Sequence, residues 1–299
     1  MIIRLATHLG MCFGVRDAIQ LANQTAAQQP LTILGDLVHN PGVLQDLRAR
    51  GVDLQSDPDQ VKTHALMITA HGTSDGTRSV LARQEREIID ATCPLVHHAH
   101  RQLLQLVAAG CFPIVIGVHG HTEVKGLVGD LDRHRVVLSE LDVDALPEEP
   151  HFGIVAQTTQ PIGRVLELLE LIRKRHPQSN VTFRDTVCQP TKQRQLAAAE
   201  LATESDVMIV VGGGHSNNTR ELARLCAQHC RRVHHVQFPE QLQLDWFLSQ
   251  DRVGITAGTS TPDDQIQNIV RHLEAWTPSF AQPAVAPPEL QMATPPSSP

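Results

Sequence analysis

Three cysteines far apart in the sequence have the residue type and the setting of metal ligands. Cys12, Cys93 and Cys188 each stand immediately before a segment with the apolar periodicity of an amphipathic helix. The positive end of a helix dipole favours the thiolate form of a cysteine at the N-terminus, and a thiolate is a good ligand for a soft metal. The sequence therefore predicts up to three metal-binding thiols, one before each helix.

The spacing of these cysteines favours an iron–sulfur cluster over zinc. Zinc sites are usually marked by close pairs such as Cys-x-x-Cys, whereas these three lie in different stretches of the chain. A 4Fe-4S cluster accepts ligands from separate segments, and three protein ligands would leave one iron open to substrate. The alternative is three buried thiols that each cap a core helix, because cysteine is among the most buried residue types.

One carboxyl group and two hydroxyl groups could move protons in the same centre. A carboxyl group at Glu123, close to a metal and an anionic substrate, could act as a general acid whose pKa is set by burial and neighbours. The alternative is an exposed acid in a loop. Thr158 and Thr159 could relay a proton, or could cap a helix that begins near Pro161.

A second set of polar side chains could bind an anion. Imidazole, hydroxyl and amide groups at strand ends and loop-to-helix junctions donate hydrogen bonds to phosphate oxygens, beside backbone N–H groups that already favour anions. The members of this set are His39, His71, His121, Ser216, Asn218 and Ser260. Together they suit a diphosphate, although a lone histidine is more often a structural residue.

Three copies of one supersecondary unit must position these side chains. Each cysteine-led helix is followed by a short apolar run that ends in glycine, at 31–35, 113–117 and 208–212, and the offset from cysteine to glycine is nearly constant. A polar loop and a second apolar run follow in each copy. This alternation predicts parallel sheets, which place ligands beyond the carboxyl ends of their strands.

We therefore predict an α/β fold of three pseudo-threefold-related units, with small parallel sheets around a central iron–sulfur site. The predicted units span residues 13–93, 94–184 and 185–276, and an N-terminal strand within 1–12 joins the third unit. Residues 277–299 are rich in Pro, Ala and Ser and have no helical or strand period. They are predicted to form a disordered tail.

The composition argues against several classes of protein. The chain of 299 residues has 25 basic and 32 acidic residues, so it lacks a general positive field for nucleic acid or an anionic membrane. No apolar run is long enough to span a bilayer. The first residues lack a secretory or transit signal, so a cytoplasmic protein is predicted. The glycines at 212–214 lack the rest of a dinucleotide fingerprint, and no NAD(P) site is predicted.

The remaining cysteines have simpler interpretations. Cys226 and Cys230 lie one helical turn apart near several histidines and could imitate a small zinc site. We favour a pair that faces the core, because amphipathic helices readily generate such pairs. Cys111 precedes a strand and is interpreted as a buried thiol.

Short motifs in order along the chain resemble those of the 4-hydroxy-3-methylbut-2-enyl diphosphate reductase family. They are Gly10-Met-Cys12-Phe-Gly-Val15, Val38-His39-Asn40, Ala70-His71-Gly72, Asp90-Ala-Thr-Cys93-Pro-Leu-Val96, His121-Thr-Glu123-Val124, Gln157-Thr158-Thr159, Asp185-Thr-Val-Cys188, Ser216-Asn217-Asn218 and Ala257-Gly-Thr-Ser260. The resemblance runs from about residue 2 to residue 276 and leaves only the tail outside it.

The resemblance implies the last step of the methylerythritol phosphate route to isoprenoids. In this family two electrons and two protons remove the substrate's hydroxyl as water, giving isopentenyl and dimethylallyl diphosphates. A 4Fe-4S cluster would be held by Cys12, Cys93 and Cys188, and a small flavodoxin or ferredoxin would supply the electrons.

The resemblance also assigns roles to individual side chains. It gives proton delivery to Glu123, with Thr158 and His121 assisting. The residues that it assigns to substrate binding are His39, His71, His121, Thr158, Ser216, Asn217, Asn218 and Ser260. The family commonly has serine at the position of Asn217, so here an amide replaces a hydroxyl donor. We expect altered substrate affinity rather than lost chemistry, because an amide still donates hydrogen bonds.

Two alternatives stay open from the sequence. One is another three-cysteine 4Fe-4S enzyme of the quinolinate synthase type, although its dicarboxylate and imine substrates would call for more cationic or hydroxyl groups than these loops provide. The other is a cluster-binding or sensing protein that does not turn substrate over, with the changed loop at Asn217 as its mark.

Overall fold

The computed structural model describes residues 1–84 and 86–276, and strands and helices alternate along most of this length. The strands are β1 (Ile2–Leu5), β2 (Leu31–Leu34), β3 (Asp53–Gln55), β4 (Ala65–Ile68), β5 (Glu87–Asp90), β6 (Phe112–Ile116), β7 (Arg135–Val137), β8 (His151–Ala156), β9 (Asn180–Phe183), β10 (Val207–Val211), β11 (Val233–Val236) and β12 (Arg252–Ala257). The helices are α1 (Phe13–Ala26), α2 (Pro41–Ala49), α3 (Asp75–Ala82), α4 (Pro94–Ala108), α5 (Thr122–Val128), α6 (Glu140–Asp144), α7 (Ile162–Arg175), α8 (Gln189–Glu204), α9 (Asn217–Ala227) and α10 (Asp263–Trp276). The tail predicted at 277–299 lies outside the described residues.

The strands form three parallel sheets that share one pattern of strand order. The first sheet runs β3-β2-β4-β5, the second β7-β6-β8-β9 and the third β11-β10-β12-β1. All neighbouring strands are parallel. The predicted α/β fold with three small parallel sheets is thereby confirmed, while the unit boundaries after residues 93 and 184 stay a prediction.

The strand that leads to each cysteine lies at the edge of a sheet. β1 pairs with β12 in the third sheet, and β5 and β9 hold the equivalent edges of the first and second sheets. The helix after each cysteine packs on a different sheet, because α1 contacts β2, α4 contacts β6 and β8, and α8 contacts β12. Each cysteine therefore lies where the chain passes from one sheet to the next.

Buried apolar strands form the core of each sheet. All residues of β4, β6 and β10 are buried, which matches the continuous apolar runs in the sequence. Proline residues favour the beginning of two of the helices that cover the sheets. Pro94 and Pro190 lie in the first turns of α4 and α8, where the missing N–H has no intrahelical partner to lose.

The described part of the chain contains no helix that is long and apolar enough to cross a membrane. The cytoplasmic location stays a prediction.

Candidate active site

The three cysteines that begin α1, α4 and α8 line one cavity. Cys12, Cys93 and Cys188 occupy the N-cap positions of these helices, and none of their side chains makes a capping hydrogen bond. All three thiols are free and half-buried. The cavity measures about 540 Å³, including space open to solvent. The three cysteines therefore share one cavity and are not buried in three separate apolar cores.

The same backbone contact fixes each cysteine. The N–H group of each cysteine donates a hydrogen bond to a carbonyl oxygen just beyond the end of the central strand of a sheet. The pairs are Cys12 with Thr259 at 3.0 Å, Cys93 with Ala70 at 3.1 Å and Cys188 with Thr158 at 2.9 Å. The repeat seen in the sequence thus brings the sulfur atoms to one place by a repeated local geometry.

Burial and close packing shape the surroundings of the sulfur atoms. Burial raises the pKa of the Cys93 thiol and raises the pKa of Cys188 to about 11, with smaller contributions from Cys12 and Glu123. A Cβ atom at Gly14 would approach Cys93 Sγ to 2.5 Å. The space around this sulfur therefore depends on glycine at that position.

The Glu123 side chain lies between the cysteines and the histidines and is only 1% exposed. The Thr158 N–H group donates to Oε1 at 2.7 Å and the Thr158 hydroxyl donates to Oε2 at 3.0 Å. Burial raises the pKa of Glu123 to about 7, although these two hydrogen bonds favour the ionised form. Glu123 is therefore not an exposed acid in a loop. Its partner Thr158 does not cap α7, which begins at Ile162.

Three imidazole rings form a cluster beside Glu123. The rings of His39 and His71 are stacked with centroids 4.3 Å apart, and His121 meets them edge-on at 5.1 and 5.4 Å. Burial lowers the pKa of all three, that of His121 to about 4. The Glu123 N–H group donates to His121 Nδ1 at 3.1 Å, which leaves the proton of the neutral ring on Nε2. The cluster therefore offers neutral N–H donors near pH 7.

Hydroxyl and amide groups complete this second cavity. Ser216 caps α9, and the next two residues, Asn217 and Asn218, have buried Nδ2 atoms without hydrogen-bond partners. The Ser260 hydroxyl donates to the His39 carbonyl oxygen at 3.2 Å. With the histidines they line a cavity of about 350 Å³. Buried donors without partners are uncommon in folded proteins and indicate a ligand or water at this place.

The two cavities adjoin, and every residue predicted for the site lines one or both of them. Their shared wall consists of Val15, His71, Glu123, Thr159 and Thr259. A molecule bound across both cavities would meet thiols at one end, donor groups at the other and the Glu123 carboxyl group between them.

Several residues at the site were not identified from the sequence. Gly14 contacts Cys93, Thr191 Oγ1 lies 3.1 Å from Cys188 Sγ, and Arg194 is buried beside the cysteine loops. Arg194 could have been found, because it precedes the buried Ala197 and Ala198 by three and four residues and so shares their helix face. A cation on an apolar face is uncommon.

Cys226 and Cys230 lie outside both cavities. They are buried in an apolar cluster with Met208 and Leu222. Cys230 Sγ faces the backbone carbonyl of Ser205 at 3.5 Å. This placement confirms the core-facing interpretation of the pair over a zinc site.

Comparisons with known proteins agree on one family. The LytB protein family matches residues 3–274. A protein of Geobacter sp. (strain M21) named 4-hydroxy-3-methylbut-2-enyl diphosphate reductase is 37% identical over 274 residues, which are 91% of this chain and 96% of that protein. A protein of the same name from Pseudomonas entomophila (strain L48) is 34% identical over 290 residues, or 94% and 92% of the two chains.

Two solved structures are similar in fold. The E-1-hydroxy-2-methyl-but-2-enyl-4-diphosphate reductase of Plasmodium falciparum has a TM-score of 0.86 at 26% identity, over 93% of this chain and 89% of that chain. A structure of (E)-4-hydroxy-3-methyl-but-2-enyl diphosphate reductase, described as the terminal enzyme of the non-mevalonate pathway, has a TM-score of 0.67 at 33% identity. It covers 92% of this chain and 100% of that chain.

Proposed function

Because this chain belongs to the LytB protein family, we infer that it is a 4-hydroxy-3-methylbut-2-enyl diphosphate reductase of the isoprenoid pathway. The reaction takes up two electrons and two protons, breaks one C–O bond and releases water together with isopentenyl or dimethylallyl diphosphate. The observation that carries this conclusion is the pair of adjoining cavities, with three thiols in one, unpartnered donors in the other and Glu123 in both.

The three thiols fit a 4Fe-4S cluster held by Cys12, Cys93 and Cys188. Soft sulfur donors converge from three helix N-termini, and Gly14 leaves room at Cys93 Sγ. Burial disfavours uncompensated thiolates at Cys93 and Cys188, so iron would supply the positive charge that their ionised forms need. When bound, the cluster supplies electrons and a Lewis-acidic iron to the substrate.

Glu123 delivers a proton to the departing hydroxyl group. A carboxyl group with a pKa of about 7 has both protonation states accessible at neutral pH, which suits a general acid. The two hydrogen bonds from Thr158 fix the direction in which the carboxyl group points. An anionic substrate nearby favours the protonated form further. His121 assists, because its ring lines the same cavity as Glu123 and carries its proton on Nε2.

The donor-lined cavity binds the diphosphate. Neutral imidazoles, hydroxyl groups and amides donate hydrogen bonds to the phosphate oxygens, and the N-terminus of α9 adds backbone N–H groups. The groups proposed for this role are His39, His71, His121, Ser216, Asn217, Asn218 and Ser260. Thr158 lines the adjoining thiol cavity and is proposed to contact the rest of the substrate. The unpartnered Nδ2 atoms of the two asparagines support it, because a bound anion would satisfy them.

A separate protein supplies the electrons. The glycine run at 212–214 does not complete a nicotinamide-binding fingerprint, and a small flavodoxin or ferredoxin is the proposed donor.

Anaerobic purification followed by iron and sulfide analysis and Mössbauer spectroscopy tests the cluster, and turnover tests the substrate. We expect about four irons per chain and reduction of the hydroxylated diphosphate by a chemical reductant. Turnover only with quinolinate precursors would favour the other three-cysteine enzyme. A loaded cluster that turns over neither substrate would favour a sensing protein.

A further inference from the structure

Arg194 links two of the three cysteine-bearing segments. This residue of α8 is 8% exposed. Its Nε donates a hydrogen bond to the Gly10 carbonyl oxygen at 2.8 Å, and its Nη1 donates to the Pro190 carbonyl oxygen at 2.9 Å. Gly10 lies two residues before Cys12 and Pro190 lies two residues after Cys188. A single guanidinium group therefore spans both segments.

The positive charge of Arg194 has no carboxylate partner in residues 1–84 and 86–276. Arg232 and Arg252, in contrast, form two-point contacts with Asp251 and Asp206. Burial lowers the pKa of Arg194, whereas the Cys12 and Cys188 sulfur atoms raise it. An arginine stays protonated in proteins. Since a buried cation is costly without a counter-charge, the Cys12 and Cys188 sulfur atoms, as thiolates on a bound cluster, would be its electrostatic partners.

We propose that Arg194 is a positioning residue that ties the Cys12 and Cys188 segments together and makes the cluster easier to reduce through its fixed charge. The proposal rests on the proposed function, because it takes the cluster as given. Reduction adds a negative charge to the cluster. A cation held nearby in a largely buried site stabilises that added charge, and the net charge around a cluster is one determinant of its potential.

Two substitutions separate the charge from the hydrogen bonds. Arg194→Gln removes the charge and keeps a side-chain N–H donor, whereas Arg194→Lys keeps the charge and loses the planar two-point contact. Arg16→Gln is the control, because the backbone N–H group of Arg16 donates to the Cys12 carbonyl oxygen at 3.1 Å, while its side chain is 58% exposed and pairs with Asp263. Solvent and salt screen an exposed charge much more strongly than a buried one.

The experiment is a redox titration of the anaerobically loaded chains, followed by electron paramagnetic resonance, with iron and sulfide content measured in parallel. For Arg194→Gln we expect a midpoint lower by about 59 mV, the equivalent of a tenfold change in a one-electron equilibrium. We expect Arg194→Lys and Arg16→Gln to stay close to the unsubstituted chain. Arg194→Lys should lose its cluster faster to a chelator, because the link between the segments is weakened.

Each outcome decides the proposal. An unchanged midpoint in a fully loaded Arg194→Gln chain overturns it, as does an equal shift in Arg16→Gln. If Arg194→Gln loses the cluster and Arg194→Lys retains it, the charge of Arg194 is required. If both variants lose the cluster, the electrostatic role is overturned. Absence of a cluster in the unsubstituted chain would instead contradict the proposed function itself.

Discussion

At the scale of single residues, two opposed influences set the pKa of the Glu123 carboxyl group. Its carboxylate accepts two hydrogen bonds from Thr158, which favour ionisation, and its nearly complete burial disfavours ionisation more strongly. The result is a carboxyl group that exchanges its proton near neutral pH, between the thiols and the imidazoles.

Glu123→Gln should lower reduction of the diphosphate by about 10²-fold or more, because a glutamine of nearly the same shape cannot act as a general acid. Iron content and the spectrum of the cluster should be unchanged. Steady-state turnover with anaerobically loaded chains measures the effect, and Glu140→Gln, at an exposed carboxyl group in α6, is the control. Full turnover of Glu123→Gln would remove this residue from the mechanism.

The raised pKa of Glu123 predicts a pH dependence of stability in the cluster-free chain. The folded state holds the proton up to a pKa of about 7, whereas the unfolded state releases it near the ordinary glutamate pKa of 4.5. The contribution of Glu123 to the free energy of unfolding therefore falls as the pH rises from 4.5 to 7. The total decrease is roughly 3 kcal/mol, at about 1.36 kcal/mol per pKa unit, and it stays constant above that range. The lowered pKa values of His39, His71 and His121 act in the opposite direction over part of this range. The Glu123 effect should therefore appear in urea unfolding as the difference between the unsubstituted chain and Glu123→Gln, because the histidines contribute to both.

Gly14→Ala should impair cluster binding, because the added methyl group would lie 2.5 Å from Cys93 Sγ. Gly163→Ala is a matched control, since Gly163 is also the second residue of a 14-residue helix and its added methyl group would meet nothing within 4 Å. We expect iron content to fall several-fold in the first variant and to stay unchanged in the second. Equal iron content in both would show that the Cys93 side chain can move aside.

At the scale of elements, the strand–cysteine–helix connection is the repeated device of this fold. A strand at the edge of one sheet delivers the cysteine, the end of a neighbouring central strand fixes its backbone, and a helix on the next sheet follows. The loops proposed to bind the anion also begin helices, since Asn40 and Ser216 cap α2 and α9 beside the cavity. Helix stability and site geometry are therefore coupled.

Asn40→Ala tests this coupling at α2. Asn40 Oδ1 accepts the N–H groups of Gly42 and Val43 at 3.0 and 3.2 Å, and Asn40 Nδ2 donates to Gln265 Oε1 at 3.1 Å. Loss of such a cap costs about 1 kcal/mol, up to about 2, and should also raise KM, because the cap holds the neighbouring His39. Asn40→Asp keeps the capping oxygen and should recover most of the unfolding free energy measured in urea. Equal destabilisation by both would assign the cost to the Gln265 contact.

At the scale of the whole molecule, the sequence predicted the parts of the site that repeat. The near-constant offset from cysteine to glycine predicted three small parallel sheets and three cysteines that line one cavity. It did not predict Arg194 bridging to Gly10 or the contact of Gly14 with Cys93. Those contacts join segments from different sheets, so they depend on how the sheets are arranged rather than on local periodicity. Short motifs therefore predict the residues that line the cavities, and contacts between the sheets hold those residues in place.

The pairing of β1 with β12 has a consequence for how the polypeptide is made. β1 is synthesised well before residues 252–257, so it has no neighbouring strand until those residues leave the ribosome. During that interval its backbone groups are unpaired and the Cys12 segment has no fixed place, whereas the strands of the first and second sheets are already complete. Assembly of the thiol-lined centre is therefore expected to follow translation, and metal insertion before that point would meet at most two ordered sulfur atoms.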